Sequence, residues 1–145
     1  MEANNYPNWL VSVGQAKRLK KIGFDMPCQF FLPIKMYEDF DTKELEFDFQ
    51  KGNHNKSVDY WSIPSYEQVL EWFRKKELIG VIDYYFDILR DKPLYKYEIK
   101  NIIGQVIFTN KEIIETYKEA LGLLINQLIE IYLNSIISEF GEQKK

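Results

Sequence analysis

The sequence predicts an α+β fold: an antiparallel sheet of four to five strands packed by three helices, in the order α-β-β-α-β-β-α. Three observations carry this expectation. One local pattern recurs, in Ser12-Val13-Gly14-Gln15-Ala16, Ser65-Tyr66-Glu67-Gln68-Val69 and Thr116-Tyr117-Lys118-Glu119-Ala120, where Gln or Glu follows a hydroxyl residue by three positions. This is a capping box: the hydroxyl accepts from an orphan helix N–H, and the Gln or Glu side chain reaches back to the cap's own N–H. The segments between these helix starts read as strands. Finally, 145 residues suit one domain, expected over 1–145 with 1–8 and 141–145 as flexible ends. A hydrophobic share of 46% and an aromatic share of 16% give such a domain a core that needs no staples.

From Ser12, apolar residues Val13, Ala16, Leu19 and Ile22 recur at helical spacing, and Gly23 supplies a stop. Residues 27–36 read as a strand, with Pro33 expected on an edge or at a bulge because it cannot donate to a ladder. Glu44-Leu45-Glu46-Phe47-Asp48-Phe49 alternates strictly, so Leu45, Phe47 and Phe49 are expected to point inward. Gly52-Asn53-His54-Asn55 is loop chemistry. Tyr60-Trp61-Ser62-Ile63 leads to the second cap, whose helix should bury Val69, Leu70, Trp72 and Phe73 and end near Glu77. Residues 79–89 and 95–108 form a hairpin about Arg90-Asp91-Lys92-Pro93, with Gly104 splitting the second run. Residues 110–115 fit either a short strand or an extra helical turn. The last helix is expected from Thr116 to about Ser138. Leu121, Leu124, Leu128, Ile131 and Ile136 trace one face of it, and Ile125, Ile129, Tyr132, Leu133 and Phe140 widen that face beyond a single stripe.

Charge and composition exclude several roles. A net charge of −3 does not suit a chain devoted to neutralising phosphates. The single cysteine, Cys28, forbids an internal disulfide and reads as a small buried hydrophobe. No signal peptide and no uninterrupted apolar run of about 20 residues stand out, so a soluble, cytoplasmic protein with no membrane contact is expected. His54 is the only histidine, and without a second ligand or partner nearby it reads as a solvated loop residue. Glu38, Asp39, Asp41, Glu44, Glu46 and Asp48 form an acidic run that would suit Mg²⁺, Ca²⁺ or acid–base work. Its spacing matches no calcium loop, and a solvent-facing strand paired with Lys96 and Lys100 explains it. No cofactor, metal or catalytic residue is assigned.

Two interaction surfaces remain. Lys17, Arg18, Lys20, Lys21 and Lys35 form the candidate nucleic-acid contact, with nearby aromatics as stacking groups. Tyr60, Trp61, Ile129, Leu133 and Ile137 are the candidate protein contacts, joined by Tyr37, Tyr84 and Tyr95, since aromatics gather at interface centres. The breadth of the last helix's apolar face suits a central core helix that supplies the largest part of the core, and part of that face is the candidate for self-association or a protein partner.

Residues 12–28 (SVGQAKRLKKIGFDMPC), 60–76 (YWSIPSYEQVLEWFRKK) and 116–121 (TYKEAL) resemble a group of small proteins from Bacteroides-type bacteria and their phages and prophages. Gly23-Phe24-Asp25-Met26-Pro27-Cys28 and Pro64-Ser65-Tyr66 with Trp72-Phe73-Arg74 are the more specific pieces. The resemblance covers about a third of the chain and has no activity to carry over. It implies a mobile-element setting in the bacterial cytoplasm. The expected function is therefore that of a non-catalytic, phage-associated accessory protein acting through protein contacts. The alternatives are nucleic-acid binding and, behind it, an enzyme built on the acidic run or His54.

Overall fold

In the computed structural model, described for residues 6–41 and 44–143 with side chains through 138, the chain is α+β. Its contacts fall into two compact units, Met1–Val69 and Leu70–Lys145. Of the expected flexible ends, 1–5 and 144–145 lie outside the described residues, as do Thr42, Lys43 and the side chain of Phe140. Among the described residues, two three-stranded antiparallel sheets replace the single sheet of four to five strands, and there are four α-helices rather than three.

The first unit contains α1 (Val13–Lys21), β1 (Cys28–Pro33), α2 (Ile34–Phe40), β2 (Glu46–Gly52), a 3₁₀ turn (His54–Lys56) and β3 (Tyr60–Ser62). The first capping box closes as read. Gln15 N donates to Ser12 Oγ at 3.1 Å, and Gln15 Oε1 accepts from Ser12 N at 3.1 Å. Beyond α1, Gly23 adopts φ +93°, a conformation that a side chain would oppose. The buried side of α1, with Ala16 and Leu19, joins Leu10, Val11, Phe24, Cys28, Leu32, Trp61 and Ile63 in the unit's core.

The sheet order is β2-β1-β3. Pro33 thus lies neither on an edge strand nor at a bulge but at the last residue of the central strand, paired with Tyr60. It is tolerated there because Ile34 N makes the next bond, to Asp59 O at 3.0 Å. The expected strand over 34–36 is instead the start of α2. Proline's φ of −66° is preset for helix entry, and Lys35, Met36 and Glu38 are good helix formers. Asp41, left-handed at φ 52°, ends α2.

The alternation at 44–49 does give a strand, β2, but not the expected burial. Phe47 is 46% exposed and Phe49 90%, because β2 is an edge strand whose apolar side no described element covers. The rings instead form a surface ladder, with Trp9 to Phe30 at 5.5 Å, Phe30 to Phe47 at 5.2 Å and Phe47 to Phe49 at 5.2 Å.

The second helix start also forms as read. Ser65 and Gln68 exchange bonds at 3.0 and 3.1 Å, opening α3 (Tyr66–Lys75). Val69, Leu70, Trp72 and Phe73 are all buried, and Glu77 turns left-handed at φ 68° two residues beyond the helix.

The second unit holds β4 (Ile79–Asp87), β5 (Lys92–Lys100), β6 (Val106–Thr109) and α4 (Tyr117–Gln143), with sheet order β4-β5-β6. The expected hairpin is present, but its turn comes earlier, at 88–91. Asp87 fixes it by accepting from Arg90 N at 3.1 Å and Arg90 Nη1 at 2.7 Å, while Pro93 lies inside β5 opposite Phe86. Gly104, at φ +86°, divides the second run as expected. Residues 110–115 are neither strand nor helical turn. One bridge ties Ile114 to Tyr95, and Asn110 extends the β5 ladder by accepting from Tyr97 N at 2.6 Å. Thr116 Oγ1 accepts from Glu119 N at 3.1 Å at the head of α4. Ala120, Leu124, Ile125, Leu128 and Ile129 form the helix's buried side, and Tyr132 meets Trp72 edge-on at 5.3 Å.

Candidate functional site

The basic candidates are unevenly available. Lys20 Nζ donates to Ser57 O at 2.6 Å and Tyr60 O at 2.7 Å, so this lysine pins the loop before β3 instead of facing solvent. Burial pulls its pKa below the ordinary lysine value, against the pull of Asp59. Lys17 Nζ lies 5.9 Å from the centre of the Trp61 ring, a cation–π contact. Lys21 and Lys35 are exposed, and Arg18 is half-buried. Trp61 is only 4% exposed and meets Tyr37 at 5.5 Å, so it serves the core and offers no stacking platform beside these lysines. Tyr60 is half-buried against Phe31 at 5.1 Å.

His54 is not the solvated loop residue expected of it. Its ring stacks on Phe31 at 4.0 Å and 17°, and Nε2 lies 3.7 Å from Asp48 Oδ2 with a side-chain exposure of 15%. The neighbouring Asn55 was not singled out by sequence, yet it ties the unit together. Its Nδ2 donates to Phe24 O at 2.9 Å, and its Oδ1 accepts from Ser62 N at 2.8 Å.

The acidic residues are dispersed. Glu38 and Asp39 lie on α2, Asp41 caps it, Glu44 precedes β2, and Glu46 and Asp48 lie on β2. Among the described residues no three His, Cys, Asp or Glu side chains gather as metal ligands would. Lys96 and Lys100 lie on β5, whose partners are β4 and β6, so the expected pairing across a shared sheet does not form. Cys28 is fully buried, and burial pushes its thiol up to about 12, which keeps it protonated and unreactive near neutrality.

The second unit presents a different surface. Tyr84, Tyr85 and Phe86, at the end of β4, are 75%, 41% and 58% exposed, and the turn residues Ile88 and Leu89 are 84% and 95% exposed. Turn positions ordinarily carry Gly, Pro, Asn, Asp or Ser. Here apolar residues stand at the hairpin tip, one Asp beyond the Tyr84-Tyr85-Phe86 run, and the exposed run of Tyr-Tyr-Phe is the signal the sequence offers for this surface. Only Tyr84 of these five was singled out. Tyr95 is half-buried, 6.0 Å from Tyr117. Of the α4 candidates, Ile129 is buried while Leu133 and Ile137 are exposed. By length and composition α4 is the one helix among the described residues able to cross a membrane, over Tyr117–Ser138. Its buried side accounts for part of that apolar character.

A cavity of about 350 Å³ opens between α4 and residues 108–114, lined by Tyr97, Phe108, Asn110, Glu112, Ile114 and Gln127 among others. Tyr97 and Phe108 stack at 5.8 Å to form an apolar wall. The Tyr97 hydroxyl is held above the usual tyrosine range, chiefly by burial and then by the Glu112 charge. Asn110 is committed to backbone, since its Nδ2 donates to Glu112 O at 2.8 Å. No pair in this cavity forms a nucleophile–base link. No family model, curated protein or solved structure matches the chain.

Proposed function

We propose that this chain is a non-catalytic protein that acts through protein contacts, with the hairpin end of its second sheet as the contact surface. The observation that carries this reading is the exposure of five consecutive-to-adjacent large apolar residues, Tyr84, Tyr85, Phe86, Ile88 and Leu89. Large exposed apolar patches mark interaction sites, because leaving such surface in water costs about 25 cal/mol per Å². The resemblance to phage and prophage proteins of Bacteroides-type bacteria supports an accessory role in a mobile element. Nucleic-acid binding is the weaker alternative, since Lys20 is spent on two backbone carbonyls and Lys17 on an indole face.

Photo-cross-linking in living bacterial cells tests the proposal. A benzoyl-phenylalanine in place of Leu89 should yield polypeptide adducts, whereas one in place of Lys75, an exposed position on α3, should not. Equal or absent adduct formation at the two positions removes the reading.

A further inference from the structure

We propose that β4 pairs antiparallel with β4 of a second copy of this chain, about a twofold axis passing through Tyr84. The inference rests on the protein-contact reading and names its partner.

β4 is an edge strand among the described residues. In an antiparallel ladder alternate residues direct N–H and C=O toward the neighbour, and the others direct them outward, so an edge is a template for another strand. Proteins blunt such edges with short length, bulges, Pro or Lys. The other edges among the described residues carry such devices: β6 has four residues and joins β5 with a register shift, β3 has three residues, and β2 pairs β1 with a shift between Cys28 and Phe30. β4 is neither short nor bulged, and its one mid-strand charge is Asp83. It runs nine residues, IGVIDYYFD, in unbroken register with β5, without Pro or Lys.

Self-complementarity selects the occupant and the register. A twofold axis normal to the sheet keeps each face on its own side, so the pairing must be centred on a residue. Centred on Asp83 the strands overlap fully but set that carboxylate against its own copy. Centred on Tyr85, Asp83 faces Asp87. Centred on Ile82, Phe86 and the apolar turn run past the partner strand. Centred on Tyr84, Ile82 faces Phe86 and Tyr84 faces Tyr84 on one side of the sheet, while Asp83 faces Tyr85 on the other. No like charges meet, and Ile88 and Leu89 of each copy approach the Ile79 end of its partner.

The area is also of the right order. At 150–250 Å² per ring, the exposed fractions of Tyr84, Tyr85 and Phe86 amount to about 350 Å² per copy. The nearly bare Ile88 and Leu89 carry this toward the ~800 Å² per partner of a standard interface.

Sedimentation equilibrium of the purified full chain, with Tyr84→Lys and Tyr84→Glu variants, tests the pairing. The wild type should dimerise with a Kd of order micromolar. Each variant alone sets like charges at the axis and should weaken dimerisation at least about tenfold, while an equimolar mixture of the two should recover it. Circular dichroism confirms folding, which this exposed position should not disturb. A wild type that stays monomeric overturns the proposal, as does a dimer that persists in both variants or a mixture that fails to recover. If the chain is monomeric yet Leu89 cross-links to a different polypeptide, only the homotypic pairing fails and the contact reading stands. If neither association nor adducts occur, both fail.

Discussion

Gly80 lies directly beneath Leu124: a Cβ added at Gly80 would come within 3.0 Å of both Leu124 methyls. This contact seats α4 on β4. Replacing a strand glycine normally gains about 0.5–1 kcal/mol, but overpacking against a fully buried leucine costs about 1–3 kcal/mol. The cost wins, so Gly80→Ala should lower stability by about 1 kcal/mol and Gly80→Val by more. The midpoint of urea unfolding reads both.

Asn55 replaces missing backbone partners in the first unit. Asn55→Ala removes a donor from Phe24 O and an acceptor from Ser62 N, and Ser62 is a buried residue. A buried N–H left unpaired costs about 1–3 kcal/mol. We expect a loss of about 2–3 kcal/mol in denaturant unfolding, well above that of an exposed loop substitution such as Lys56→Ala.

The Cys28 thiol sets an alkaline limit. Its pKa is pushed from 9.0 to about 12 by burial, so below pH 9 folded and unfolded states both hold the proton and the contribution is complete. Between about 9 and 12 the unfolded chain sheds its proton first, and stability falls as pH rises, by up to ~1.4 kcal/mol per pH unit. Tyr6, Tyr66 and Tyr97, all raised mainly by burial, act with the same sign at higher pH. Cys28→Ala should therefore flatten the decline above pH 9 while leaving the tyrosine part. Equal pH dependence in the two proteins would contradict the assignment.

His54 works as a ring. Loss of its stack on Phe31 in His54→Ala should cost about 1–2 kcal/mol, whereas His54→Phe retains the contact and should cost less than half as much. If the two variants are equally destabilised in thermal unfolding, the link to Asp48 and not the stack carries the effect.

What could be read from the sequence was local. The caps at Ser12, Ser65 and Thr116 involve residues three apart, and their helices form where the spacing puts them. What could not be read depends on distant partners. Alternation shows that Phe47 and Phe49 share a strand face, but not whether another element covers it. Lys20 looks like a surface cation until the carbonyls of Ser57 and Tyr60, 37 and 40 positions away, accept its hydrogen bonds. α2 is hidden because the apolar run from Pro27 to Met36 has strand character throughout, and only Pro33, the end of β1, divides it. Ile88 and Leu89 read as the end of a strand, because the turn chemistry of Asp91 and Pro93 places the expected turn later; only the pairing of Asp87 with Lys92 puts them at the exposed tip.

The most direct measurement is the thiol-labelling rate of Leu89→Cys, in a Cys28→Ala background, compared between living cells and dilute purified protein. A hairpin end covered by another polypeptide should label at least about tenfold more slowly in cells, as expected when a contact excludes water from the core of an interface. Equal rates in the two settings would contradict the claim that this surface is where the protein makes its contacts.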